Sequence, residues 1–317
     1  MQLQTQVPIK AEQYNPIDYD SKLLLLGSCF AENIGEKFNY FKFQTTLNPF
    51  GILFHPKAIE TLIVNAINQK EYAVSDLFHL NERYHCFDAH SKLSQSSESE
   101  LINTLNKNLK ITGQQLNNST HIIITLGTAW VYRFIEDDEI VANCHKVLQK
   151  QFLKELLSID DITESLESII SLIRSVNPKV NIMFTVSPVR HLKDGFVENT
   201  QSKAHLISAL HQVVDERDYI HYFPSYEIMM DELRDYRFYE EDMIHPNNLA
   251  INYIWKKFKA NWIDSKIYDL MSEVSAIQKG LSHKPLNQNS LEYKKFIQNL
   301  EKKKFELNSK LPFIKFN

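Results

Sequence analysis

The sequence predicts an α/β protein of three layers, with helices on both faces of a short parallel sheet. Three observations predict it. Continuous apolar runs at 22–27 (K-L-L-L-L-G), 121–127 (H-I-I-I-T-L-G) and 180–187 (V-N-I-M-F-T-V-S) read as strands buried on both faces. Stretches of helical periodicity separate them, the alternation of a parallel sheet. Two of the runs end on glycine, in a chain with only 7 glycines among 317 residues. A chain so sparing places glycine where the backbone needs it, at a tight turn or a close approach.

Taken in order, residues 1–10 (M-Q-L-Q-T-Q-V-P-I-K) lack the basic start and apolar core of a secretory signal. The strand at 22–27 runs into a helix from about Phe30 to Phe38. A second helix is expected over 56–69. Residues 71–92 are rich in aromatics and histidine, with R-Y-H-C-F-D-A-H at 83–90, and read as strand additions or loops over the sheet's carboxyl edge. S-Q-S-S-E-S-E at 94–100 is an exposed turn that caps a helix over about 99–116. After the strand at 121–127, residues 129–147 alternate like a hairpin turning at E-D-D-E. Helix 160–175, the strand at 180–187 stopped by P-V-R, helix 199–215 and a short strand at 219–223 complete the alternation. A further helix begins at Pro246.

The carboxyl-terminal part differs. K-P-L-N-Q-N-S at 284–290 is a polar break, and Tyr293, Ile297, Leu300 and Leu307 then keep helical spacing among lysines and glutamates. This is an amphipathic helix with an apolar stripe to cover, against the body of the chain or against a second copy in a homodimer. The expected division is an α/β/α domain over 1–260 and a helical extension over 261–317.

Hydrophobic content of 43%, charge of 23% and a net charge of −4 describe a globular chain with no electrostatic reason to bind nucleic acid or an anionic membrane. No apolar run approaches the ~20 residues that span a bilayer. Cys29, Cys86 and Cys144 are odd in number and far apart, which argues against a disulfide framework and for the cytoplasm.

Parallel sheets bind ligands at their carboxyl edge. Ser28 stands there, between a strand and a helix whose first N–H groups lack intrahelical partners and can receive an oxyanion. Serine needs a base to become a nucleophile. Asp242 and His245 lie three residues apart on a turn before a helix, a spacing that lets the carboxylate orient one ring nitrogen while the other takes the serine proton. Helix capping accounts for either Ser28 or Asp242 as well. Cys29 reads as a small, buried apolar residue or as a thiolate at a helix start. His85, Cys86 and His90 with Asn143, Cys144 and His145 match no zinc spacing, so no metal and no cofactor are expected. Cys29, Cys144, His145, Ser187, Arg190 and His191 are read as pocket residues around Ser28, and Trp130 and Tyr132 as a wall for a sugar ring or acyl chain. Arg190 would bind a substrate carboxylate or phosphate, or pair with Asp194.

G-S-C-F-A at 27–31, N-P-F-G-I-L-F-H-P at 48–56, T-L-G-T-A-W-V-Y at 125–132, S-P-V-R-H at 187–191 and D-M-I-H-P at 242–246 together resemble the blocks of the GSCFA family, bacterial proteins related to the SGNH (GDSL-like) hydrolases. The resemblance covers about 20–260. It implies an SGNH-like fold, Ser28 as nucleophile, Asp242 and His245 as its partners, and the N–H groups of Ser28 and Gly51 at the oxyanion. One departure matters. SGNH enzymes carry an asparagine two residues after the third-block glycine, and here that position is Ala129. Losing one oxyanion donor elsewhere costs ~2.7–4 kcal/mol of barrier. Thr128, Asn48 and Asn143 are the candidates to replace it. The expected function is a serine hydrolase of a small-molecule or carbohydrate ester, working through an acyl-serine. The alternatives are acyl transfer to a glycan or other hydroxyl, a binding protein of this fold without activity, and a thiol enzyme using Cys29 or Cys144.

Overall fold

A computed structural model describes residues 5–214, 217–287 and 289–316. Its centre is a five-stranded sheet, all parallel, built from β1 (Lys22–Gly27), β2 (Gln44–Leu47), β5 (His121–Leu126), β9 (Asn181–Val186) and β10 (Ile220–Tyr222) in the order β10-β9-β5-β1-β2. The four leucines of β1 explain why the sequence shows no alternation. Leu24 and Leu26 enter one core, Leu23 and Leu25 the other. Successive strand side chains point to opposite faces, so a strand covered on both must be apolar throughout. Ile122, Ile124 and Leu126 against Ile123 repeat the pattern in β5.

One face is covered by α2 (Pro56–Ile67), α3 (Glu98–Asn118), α4 (Ile159–Val176) and α5 (Phe196–Val214). The other is covered by α1 (Cys29–Tyr40) and later by α7 (Asn248–Trp262), α8 (Tyr268–Ser282) and α9 (Leu291–Lys310). Between β10 and α7 lie a single turn, α6 (Ser225–Glu227), and a π-turn over Ile228–Glu232. The helix expected over 199–215 is α5, and position 215 lies outside the described residues, as do residues 1–4 of the amino-terminal stretch and residue 288 of the polar break.

Two excursions rise from the helical layers. Residues 71–92 hold the antiparallel hairpin of β3 (Phe78–Leu80) and β4 (Arg83–His85). Residues 129–147 hold the expected hairpin, β6 (Trp130–Phe134) with β7 (Glu139–Val141), and β8 (Phe152–Leu156) pairs with the other side of β6. Neither β8 nor β2 is expected from the sequence. Each is short and carries polar residues, so neither offers an apolar run to recognise.

The stripe of α9 is covered within the chain. Leu300 and Leu307 are buried in the same core as Leu23 and Leu25, against Met271, Val274 and Ile277 of α8. Gly280 permits this approach, since a Cβ there would lie 2.7 Å from Leu300 Cδ1. Burying a leucine is worth about 2 kcal/mol, so two anchor the helix firmly. Among the described residues no helix is long and apolar enough to cross a membrane.

Candidate active site

Parallel pairing brings the strand ends level. Leu25 faces Leu47, Gly27 faces Thr125, and Leu126 faces Val186. The residues that follow (Ser28, Asn48, Gly127 and Ser187) therefore gather at one edge. Gly27 turns the chain there at φ +128°, and a Cβ would fall 2.1 Å from the Thr125 carbonyl oxygen, so only glycine fits. Ser28 donates its N–H to Thr125 O at 3.0 Å and becomes the N-cap residue of α1. Its hydroxyl makes no cap bond and no other hydrogen bond among the described residues, and Ser28 is fully buried. The capping explanation thus accounts for the position but not for the side chain. An unpaired buried hydroxyl costs about 1–3 kcal/mol, and such a group calls for an explanation.

On the β2 side, Asn48 adopts φ +41°, a conformation asparagine tolerates. Its Oδ1 accepts the Gly27 N–H at 2.9 Å, which fixes the amide beside the glycine–serine turn. Its Nδ2 is buried with no partner. The two backbone donors expected at the oxyanion are both engaged: Ser28 N–H with Thr125 O, and Gly51 N–H with Asn48 O at 2.8 Å. Of the three replacement donors, Thr128 Oγ1 accepts Trp130 N–H and bonds Ser202 Oγ, each at 3.0 Å. Asn143 Oδ1 accepts His145 N–H at 2.8 Å, in a cavity wall. The Asn48 amide is the free one at the edge.

Asp242 and His245 sit on a turn made possible by Met243 at φ +58°. His245 Nδ1 lies 2.7 Å from Asp242 Oδ2, and Asp242 Oδ1 accepts the N–H groups of Ile244 at 2.8 Å and His245 at 3.0 Å. The His245 N–H, the imidazole and the Ile244 N–H hold the Asp242 carboxyl down at about 2. Asn247, not Asp242, caps α7. The turn is tied to the segment after β9 by Arg190 N–H donating to Ile244 O at 3.3 Å.

His191 follows directly. Its N–H donates to Asn199 Oδ1 at 2.9 Å, its ring stands edge-on to Phe54, and its Nε2 is buried without a partner. A Cβ built on Gly127 would lie 3.1 Å from His191 Nε2 and 3.3 Å from Ser28 Cβ, so the imidazole and the serine flank the same glycine. Burial, then the charges of Lys203 and His245, pull His191 down to about 3.

Lys203, buried at the same edge, was not legible in the sequence. Its Nζ donates to the carbonyl oxygens of Gly127 at 2.6 Å and Ser187 at 2.7 Å from a fully buried position. Burial pulls the ammonium down to about 7, and neighbouring Cys29 opposes this. The signal was present in helical spacing: Asn199, Ser202 and Lys203 continue the buried face of Leu206, Leu210 and Val213.

The expected pocket residues divide. Trp130, Cys144, His145 and His191 line a cavity of about 620 Å³ that also touches Phe54 and Thr128. Ser187 is buried beneath the edge. Cys29 is half-buried, and burial pushes its thiol up, as it pushes Cys144 up to about 11. Arg190 does not pair with Asp194, which Lys154 takes at 2.7 Å; its guanidinium meets Tyr239 Oη and Met230 Sδ. His145 Nε2 bonds Cys86 O and His85 Nδ1 bonds Ser94 Oγ. Among the described residues no three His, Cys, Asp or Glu side chains are grouped to hold a metal ion.

The fold and this edge define a three-layer α/β/α protein with its candidate site at the carboxyl ends of parallel strands. The chain belongs to the GSCFA family, whose model matches residues 22–258, and the model of the GSCFA domain protein C-terminal domain matches 274–317. No curated protein matches it. Among solved structures it is similar to an acetyl esterase mutant with acetate ion (13% identity, TM-score 0.36, 80% of this chain and 100% of that one). It is also similar to a carbohydrate esterase family 3 protein from Talaromyces cellulolyticus (11%, 0.36, 80% and 99%) and to the acetyl xylan esterase Est2A from the rumen bacterium Butyrivibrio proteoclasticus (11%, 0.33, 69% and 57%). Similarity at this level speaks to no individual residue.

Proposed function

We propose that the protein is a serine hydrolase of esters, with Ser28 as nucleophile. The observation that carries this is the Ser28 hydroxyl, buried and unpartnered at a strand end. Asp242 orients His245 through Nδ1, leaving Nε2 to exchange a proton. In the first step Ser28 Oγ bonds the ester carbon, its proton passes to His245 Nε2, and the carbonyl π pair moves onto oxygen. That oxygen is received by the Asn48 amide, which does the work expected of an asparagine at 129. Collapse expels the alcohol with the proton from His245 and leaves acyl-Ser28. Water, deprotonated by His245, then attacks the acyl carbon; collapse breaks the bond to Ser28 Oγ, which takes the proton back from His245, and frees the acid.

The cavity beside His191 supports an acylated carbohydrate as substrate, because the aromatic Trp130 and Tyr132 line it among polar groups, with Lys154 over the Trp130 ring. Acyl transfer to a hydroxyl acceptor is the second reading, favoured by the full burial of Ser28 away from bulk water. Raised thiol pKa values at Cys29 and Cys144 favour serine over a thiolate. Three unpaired cysteines support a reducing compartment, the cytoplasm.

The test is Ser28→Ala assayed on p-nitrophenyl acetate, with mass spectrometry of the wild-type chain after a fluorophosphonate. Ser28→Ala should abolish turnover and leave the melting curve unchanged or slightly raised, since it removes an unsatisfied group. The label should sit on Ser28. Equal turnover by the variant would remove the mechanism, and a wild-type chain that takes no label would point to a binding protein of the same fold.

A further inference from the structure

Four buried polar groups at the sheet edge are left over once the Asp242–His245 pair is set aside: Ser28 Oγ, Asn48 Nδ2, His191 Nε2 and the Lys203 ammonium. Lys203 is satisfied by two carbonyl oxygens. Ser28 and Asn48 already have parts in the proposed reaction. The His191 imidazole has none, yet its place is set from three directions. Asn199 from α5 holds its backbone, Phe54 stands edge-on to its ring, and Gly127 brings its Nε2 and Ser28 to either side of one backbone position.

We propose that His191 is a further catalytic residue: its Nε2–H donates a hydrogen bond to the carbonyl oxygen of the ester as negative charge develops there, opposite the Asn48 amide. This deepens the reading of Ser28 as nucleophile and rests on it. No proton is transferred in this contact. The carbonyl π pair goes to oxygen, the oxygen accepts from Nε2–H, and the pair returns to carbon when the alcohol leaves.

Two further observations favour a donor over a second base. A neutral imidazole keeps one N–H to give and has little tendency to take a proton. Burial, then the nearby Lys203 ammonium and His245, hold His191 in that neutral form. His245, by contrast, has the Asp242 carboxylate 2.7 Å from its Nδ1, which fixes that nitrogen as the donor and leaves Nε2 as the acceptor. The two histidines are thereby given opposite tasks by their surroundings. The absence of any other partner for Nε2 in the resting site has the same sense, because a group reserved for a transient charge stays unpaired until the charge forms. Gly127 is part of the device: a methyl there would press on both Nε2 and Ser28.

The test compares His191→Gln with His191→Leu in the full chain, on p-nitrophenyl acetate, with melting curves and fluorophosphonate labelling alongside. Glutamine keeps an N–H donor and cannot act as a base, whereas leucine keeps bulk alone. His191→Leu is expected to lower kcat by about 10²–10³ with KM little changed. His191→Gln is expected to recover most of that loss and to keep the acidic limb of the pH profile where the wild type has it. Glutamine failing as badly as leucine, with both folded, would overturn the donor role in favour of a base. Leucine with wild-type kcat would overturn any role for His191 in the reaction. If wild-type Ser28 takes no label, the nucleophile itself is wrong and this inference falls with it; label on Ser28 with unaltered kcat in His191→Leu overturns this inference alone.

Discussion

Asn48 shows how much one side chain carries at this edge. Its backbone tolerates a left-handed conformation, its Oδ1 holds the Gly27 N–H, and its buried Nδ2 has no partner among the described residues, the group proposed above to receive the oxyanion. Asn48→Asp separates these functions. Aspartate tolerates the same backbone and still accepts from Gly27, but it cannot donate. We expect a folded protein whose kcat on p-nitrophenyl acetate is at least about 10²-fold lower; undiminished kcat would return the oxyanion to the backbone donors. The serine and the Asp-x-x-His turn were readable because strand–glycine–serine and a three-residue carboxylate–imidazole spacing are local patterns. Lys203 and the linkage of His191 to Asn199 were not, because each depends on a contact formed only when α5 packs under the sheet. The engagement of the Ser28 and Gly51 N–H groups was hidden too, one taken by the neighbouring strand and one by the turn at Asn48, because a sequence names donors but not what they already hold.

At the scale of elements, the doubly buried strands were legible from leucine and isoleucine runs, and their helices from periodicity. β2 and β8 were not, since an edge strand and an excursion strand bury too little to need an apolar run. The π-turn after α6 was likewise invisible, and it serves a purpose. It puts Glu232 where its fully buried carboxylate meets Lys257 of α7 at 2.9 Å, Tyr253 Oη, and the Val7 N–H at 2.7 Å. This one carboxylate ties the amino-terminal segment, the turn and α7 together. Lys257→Met would leave it buried with its countercharge gone, and such losses cost about 3–5 kcal/mol. Urea titration should report a loss near the lower figure, because Lys257 is itself partly exposed. A loss under about 1 kcal/mol would mean that the tyrosine and the backbone donor suffice.

For the whole molecule, buried histidines set the response to acid. His55 caps α2 by accepting the Ala58 N–H on Nδ1, with Nε2 placed 3.1 Å from Val141 O. Protonating Nδ1 destroys the cap. Burial pulls His55 from its usual 6.5 down to about 4, and pulls His145 down to about 4 and His191 to about 3. As pH falls through 6.5 the unfolded chain takes up these protons first, so stability is full above that value and drains away toward pH 4. For His55 alone the loss is about 3 kcal/mol. The melting temperature should therefore drop steeply between pH 7 and 4.5, and a flat profile would contradict the neutral, buried state of these rings.

The sheet divides the hydrophobic interior into two slabs that share no side chain along most of its length. Ser28 and the Asp242–His245 turn lead into helices of one slab, while Lys203 and Asn199, which brace Gly127 and His191, rise from the other. The candidate nucleophile and the groups that brace the neighbouring glycine and imidazole are thus mounted on opposite faces of one sheet. If Ser28 is the nucleophile as proposed, any sliding of one slab past the other would change its spacing from the brace, and turnover would then gauge how tightly the two halves are clamped.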